Sequence, residues 1–128
     1  MKKFGFIIFI GTLLTACIQV PGGNGNNNQS NGQRIKAKVL RITCATTVIQ
    51  ILDANYFNLG ETWNVNGTTT THEHAVVVQN KCEFPTNLTE GSEFYFKQIP
   101  ESEANNNCMV CMMYDYPPSK NIFLKIVQ

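Results

Sequence analysis

Apolar and polar positions divide the chain into three stretches of different character. From Phe4 to Leu14 no charge occurs, directly behind Lys2 and Lys3. From Gly22 to Gln33 only Gly, Asn, Gln and Ser occur, without one apolar side chain. From Arg34 onward the apolar positions recur with a period near two, in short runs rich in β-branched and aromatic residues. Strands are predicted at about 35–44, 47–52, 75–79, 92–98, 109–114 and 121–127, and no segment carries the 3.6-residue repeat of an amphipathic helix.

The first strand changes phase. Its apolar residues stand at odd positions, Ile35, Ala37 and Val39, then at even ones, Leu40, Ile42 and Cys44. A slip of one residue is the mark of a β-bulge, which bends a strand so that it can serve two sheets. This long bent first strand, a second after a tight polar turn, a third, a short Gly91 connection to a fourth and a final run resemble the oligonucleotide/oligosaccharide-binding (OB) fold. The approach Leu88-Thr89-Glu90-Gly91-Ser92-Glu93-Phe94-Tyr95-Phe96 looks like that fold's passage into its fourth strand. The resemblance implies an all-β domain, a small five- to six-stranded OB-like Greek-key barrel over residues 34–128, with another small sandwich as the competing architecture.

The first two stretches read as address and tether. A basic start, an apolar core and small residues before a cut are the parts of a secretory signal, and the apolar run is too short to span a bilayer, which takes about 20 residues. Leu14-Thr15-Ala16-Cys17 resembles the lipobox of bacterial lipoproteins, which implies a signal peptide over 1–16 that is removed and Cys17 as the lipidated first residue, carrying diacylglycerol and palmitate-type chains. Residues 17–33 then form a flexible tether with a mean span of about 20–25 Å. With no acidic residue beside Cys17, the expected location is the cell envelope, at the outer membrane facing the periplasm.

Charge narrows the partners. Loss of Lys2 and Lys3 leaves 8 Lys and Arg against 9 Asp and Glu, a balance that argues against nucleic acid. Arg34, Lys36, Lys38 and Arg41 all precede the first acid, Asp53, and their spacing reads as the wet face of a strand. Without a motif such as Gly-x-Ser-x-Gly the chain is expected not to be an enzyme, and no cofactor is implied.

Four cysteines remain besides Cys17: Cys44, Cys82, Cys108 and Cys111. In an exported domain of marginal size two disulfides are the expectation, with three pairings open. The proposed fold places Cys44 at the end of strand one, Cys82 after strand three and the last two before or at the opening of strand five. With strands one and three parallel and five running against three, all four gather at one pole. Two alternatives use the same residues: a zinc site built from all four thiolates, or a redox or copper(I) site at Cys108-Met109-Val110-Cys111-Met112-Met113. The spacing of Cys44 and Cys82 does not match a zinc half-site, a strand-like run replaces the helix a redox pair needs, and methionine commonly fills cores. The expectation is therefore no metal. His72 and His74, flanking Glu73 after the polar run Thr68 to Thr71, read as loop histidines, although on a strand the two imidazoles would share one face. Tyr56, Phe57 and Trp63, in the long connection between strands two and three, are candidates for stacking on a sugar or packing on a protein, or else fold back over the core.

At closer range the domain resembles small Bacteroidetes lipoproteins of uncharacterised function. The residues carrying this are Cys44, Gly60-Glu61-Thr62-Trp63, Cys82, Cys108-Met109-Val110-Cys111 and Tyr116-Pro117-Pro118. The resemblance brings no activity with it. The leading expectation is a membrane-anchored, non-enzymatic binding or structural module with a protein or glycan partner. Its rival is a thiol-redox or metal-binding protein using the four cysteines.

Overall fold

The computed structural model describes residues 34–128. The signal segment, Cys17 and the tether lie outside the described residues. What is described is all-β: β1 (Ile35–Ile42), β2 (Thr47–Ile51), β3 (Glu61–Asn64), β4 (Thr71–Val78), β5 (Glu93–Gln98), β6 (Asn121–Ile122) and β7 (Leu124–Val127), with three short 3-10 turns between them. They form one sheet in the order β3-β4-β2-β1-β5-β7, and β6 pairs with β4 off that path. The pairings are antiparallel except β4–β6, which is parallel. No unbroken ladder closes the sheet, because β6 and β7 are separate strands with Phe123 between them.

The phase slip in β1 is a bulge. Val39 pairs with Ile49 and Arg41 with Val48, so Leu40 is the extra residue. Before it, Ile35, Ala37 and Val39 are buried in the main core; the bulged Leu40 itself packs on a second cluster. The main core joins those three residues to Ile49, Ile51, Val76, Val78, Phe94 and Phe96, and Ile122 and Leu124 complete it. The second cluster is Val48, Trp63 and Ala75, so β2 and β4 are covered on alternate positions toward both faces. That double burial explains the continuous apolar runs of these strands.

Three of the expected elements are corrected. Residues 109–114 form no strand and run outside the sheet. The expected strand 121–127 is two strands, β6 and β7, and β6 runs with β4, not against it, since Val77 pairs with Asn121 and Val78 with Ile122 in parallel. The long connection after β2 contains a strand of its own, β3, and β4 begins at Thr71, so His72 and His74 are strand residues, not loop ones.

Asn80, which the hydrophobic pattern passes over, ties the C-terminal strands to the end of β4. It is 1% exposed, its side-chain amide donates to the Leu124 carbonyl at 2.7 Å, and its side-chain oxygen accepts from the Leu124 N–H at 3.0 Å. A buried side chain here completes a backbone pair as a neighbouring strand would.

Candidate functional site: a disulfide-braced strap at one pole

β1 and β4 each run antiparallel to β2, so their C-terminal ends lie at the same pole. Cys44 follows β1 in the β1–β2 turn, and Cys82 lies in the 3-10 turn Lys81–Glu83 just past β4. Two disulfides, Cys44–Cys111 and Cys82–Cys108, join these points to the segment that returns toward β6, with Cα separations of 5.4 and 5.5 Å. All four cysteines thus gather at one pole, and the two of Cys-x-x-Cys pair outward with different partners. This explains why a strand-like run is not a strand. Its cysteines, three residues apart, are fixed to two different strand ends, which carries the run across the pole as a strap instead of along a strand edge.

A buried carboxylate completes the attachment. Thr43 and Thr46 close the β1–β2 turn, the Thr43 N–H donating to the Thr46 carbonyl at 2.8 Å and the Thr46 N–H donating to the Thr43 hydroxyl at 2.9 Å. Both hydroxyls then donate to Oδ2 of Asp115, from Thr43 at 2.7 Å, while Arg41 meets Oδ1 at 2.9 Å. Burial pushes the Asp115 carboxyl up, but the hydroxyls of Thr46 and Thr43 and the charges of Arg41 and Lys81 outweigh it and hold the group below its ordinary value. One of the four early basic residues is therefore the counter-ion of a buried acid. Lys36 pairs with Glu93 at 2.6 Å and Arg34 lies over the Tyr95 ring, so the N-terminal basic cluster is mostly partnered on the sheet.

Beyond Asp115 the strap is held over β3. Trp63 Nε1 donates to the Tyr116 carbonyl at 2.9 Å, the hydroxyl of Ser119 donates to Glu61 at 2.8 Å, and Lys120 Nζ donates to the carbonyls of Asn58 and Gly60. The Ser119 hydroxyl and N–H lower the Glu61 pKa, with Lys120 adding to the effect.

Pinned in this way, the strap turns its large side chains outward. Met109 is 98% exposed, Met112 105% and Tyr114 82%, while Val110, Met113 and Tyr116 are half exposed. From Ala104 to Tyr114 there is no charged residue. The methionines therefore do not fill the core. The strap and the sheet together enclose an open-sided cavity of about 460 Å³, lined on one side by Val77 and Gln79 and on the other by Asn106 and Pro117.

The aromatic candidates lie elsewhere. Tyr56 and Phe57 are half-buried against the main core, and Trp63 is 5% exposed with its N–H satisfied. The two histidines do not share a face. A bulge sets Glu61 opposite Ala75 but Trp63 opposite His72, and His74 takes φ 58° within it. His72 accordingly stacks over Trp63 of the second cluster, and His74 lies parallel on Phe57 at 3.7 Å. Among the described residues, no three His, Cys, Asp or Glu side chains converge to hold a metal ion.

Sequence reasoning located the cysteine pole but not Asp115 or the outward strap. A signal for Asp115 was present: it is the only acid after Glu103, in an otherwise uncharged run four residues past Cys111. Compared with protein-family models, curated proteins and solved structures, the chain matches none.

Proposed function

We propose that this protein is a lipid-anchored envelope module, not an enzyme, that docks a protein partner through the strap over residues 108–116. The observation that carries the reading is the exposure of six large apolar or aromatic side chains on one braced segment whose single charge, Asp115, is buried. Exposed apolar groups concentrated in this way mark interaction sites, and the braces reduce the ordering cost of binding. Ile35, where β1 begins, stands at the opposite end of that strand from the strap, about 25 Å away by strand rise. A domain tethered through Cys17 would therefore present the strap away from its membrane, which favours a protein over the lipid surface. With all four cysteines of the domain in disulfides, the reading rests on contact and not on thiol chemistry.

The domain itself is read as an OB-like barrel. Support comes from the neighbours of the last two strands: β6 lies beside β4 and β7, one residue later, beside β5, which lies beside β1. That is the order in which an OB barrel closes.

Two measurements test the proposal on the whole chain in intact cells. Cys17→Ser is expected to abolish incorporation of labelled palmitate and to release the protein from the membrane fraction; unchanged membrane retention would sink the anchor. A photo-crosslinking residue at Met112 is expected to give one discrete protein adduct that is lost when Met109→Ser and Tyr114→Ser are added. Adducts to lipid alone, or the same adduct from a probe at Gln98, would overturn the docking surface.

A further inference from the structure

The cavity beneath the strap has a chemistry of its own, separate from the strap's outer face. Its volume of about 460 Å³ falls in the range of small-ligand sites. Of the residues lining it, Lys81 alone carries a charge. Its ammonium donates to the Cys44 carbonyl, beside the lining residue Ala45, and neither ion pair of the described residues includes it. The nearby Asp115 charge is already taken by Arg41 and two hydroxyls. Burial lowers the Lys81 pKa and Asp115 only partly offsets this, so the cation is incompletely compensated where it stands.

The rest of the lining is neutral. The side-chain amides of Gln79, Asn106 and Asn121 offer both donors and acceptors, as vicinal hydroxyl groups require. Val77 and Pro117 add an apolar patch of the kind that covers the C–H face of a sugar ring. One cation matches one carboxylate, whereas a phosphate ester, with up to two charges, calls for more cationic partners than this lining holds.

We propose that this cavity is a binding site for an acidic sugar, a ring bearing one carboxylate and several hydroxyls, with Lys81 as the carboxylate anchor and Gln79 and Asn121 as hydroxyl readers. Of the strap's six exposed side chains only Val110 also lines the cavity, so Met109, Met112 and Tyr114 stay free for a protein when the site is filled, and this inference stands apart from the docking proposal.

The test is titration of the whole chain, purified in detergent, with D-glucuronate, D-glucose and acetate, followed by amide chemical shifts. Glucuronate is expected to bind saturably, with shifts centred on Gln79, Lys81 and Asn121, and glucose and acetate each to bind at least about tenfold more weakly. Lys81→Gln is expected to weaken glucuronate about tenfold or more, while Lys81→Arg stays within a few-fold of the parent. Gln79→Ala, at an exposed position whose backbone bond to Ile122 is kept, separates loss of contact from loss of fold: it should weaken glucuronate with the spectrum otherwise unchanged. Absence of saturable binding, equal binding of glucose, or undiminished binding by Lys81→Gln would overturn the proposal.

Discussion

Gly60 lies flush against the backbone of His74: a methyl group added at Gly60 would stand 2.3 Å from the His74 carbonyl carbon and oxygen. The contact exists because β4 bulges there, with His74 at φ 58°, while β3 begins at the next residue, Glu61. Gly-x-x-Trp is thus a packing device. The glycine admits the bulge, and three residues on, Trp63 closes the second cluster.

Gly60→Ala should therefore destabilise the domain by at least about 2 kcal/mol, since backbone and not a movable side chain blocks the space. Urea unfolding checks this. A loss below about 0.5 kcal/mol would mean that the bulge is not held as described.

Asp115 makes stability depend on acid. Its folded pKa lies below the ordinary 3.8, so its contribution is complete above that value and fades as pH falls through the folded pKa. Asp115→Asn should cost about 1–3 kcal/mol at pH 7, and the gap between parent and variant should narrow below about pH 4. Glu61, Glu83 and Glu93, also lowered, are common to both proteins and cancel in the difference. A gap constant down to pH 2 would contradict the Arg41–Asp115 attachment.

The two disulfides should differ in worth. Cys44–Cys111 spans 67 positions and Cys82–Cys108 spans 26, for which chain entropy suggests about 4.4 and about 3.5 kcal/mol. Replacing Cys44 and Cys111 together by Ala should also loosen the strap. Thermolysin is expected to cut between Cys108 and Tyr116 well before the sheet, and equal resistance in parent and variant would argue that the remaining contacts suffice.

Asn80→Ala should be among the most damaging single changes outside the apolar core. It strips partners from both the N–H and the carbonyl of Leu124 in a buried setting, a loss of about 2–4 kcal/mol. Hydrogen exchange at β7 should accelerate more than at β2. Uniform acceleration would mean that Asn80 supports the whole domain and not that junction.

What could be read in advance follows the range of the signal. Side-chain parity is local, because successive residues of a strand face opposite sides, so the slip from Val39 to Leu40 betrayed the β1 bulge without knowledge of any partner. The runs of β2, the second half of β4 and β5 were legible from their dense β-branched and aromatic residues. β3 was not, since Glu61-Thr62-Trp63-Asn64 holds one apolar residue and becomes a strand only because Trp63 finds Val48 and Ala75.

The sequence by itself determined an all-β domain behind a polar stretch, a bent first strand, and four cysteines in a unit small enough to need them. Tertiary structure alone decided which cysteines pair, that Met109 to Tyr114 is a strap and not a strand, that His72 and His74 part company, and that Asp115 is buried against Arg41. Each of these depends on residues far apart in the chain meeting at a strand end. Local propensity cannot encode that, because Met-Val-Cys-Met-Met-Tyr has the composition of a strand whether or not a strand edge receives it.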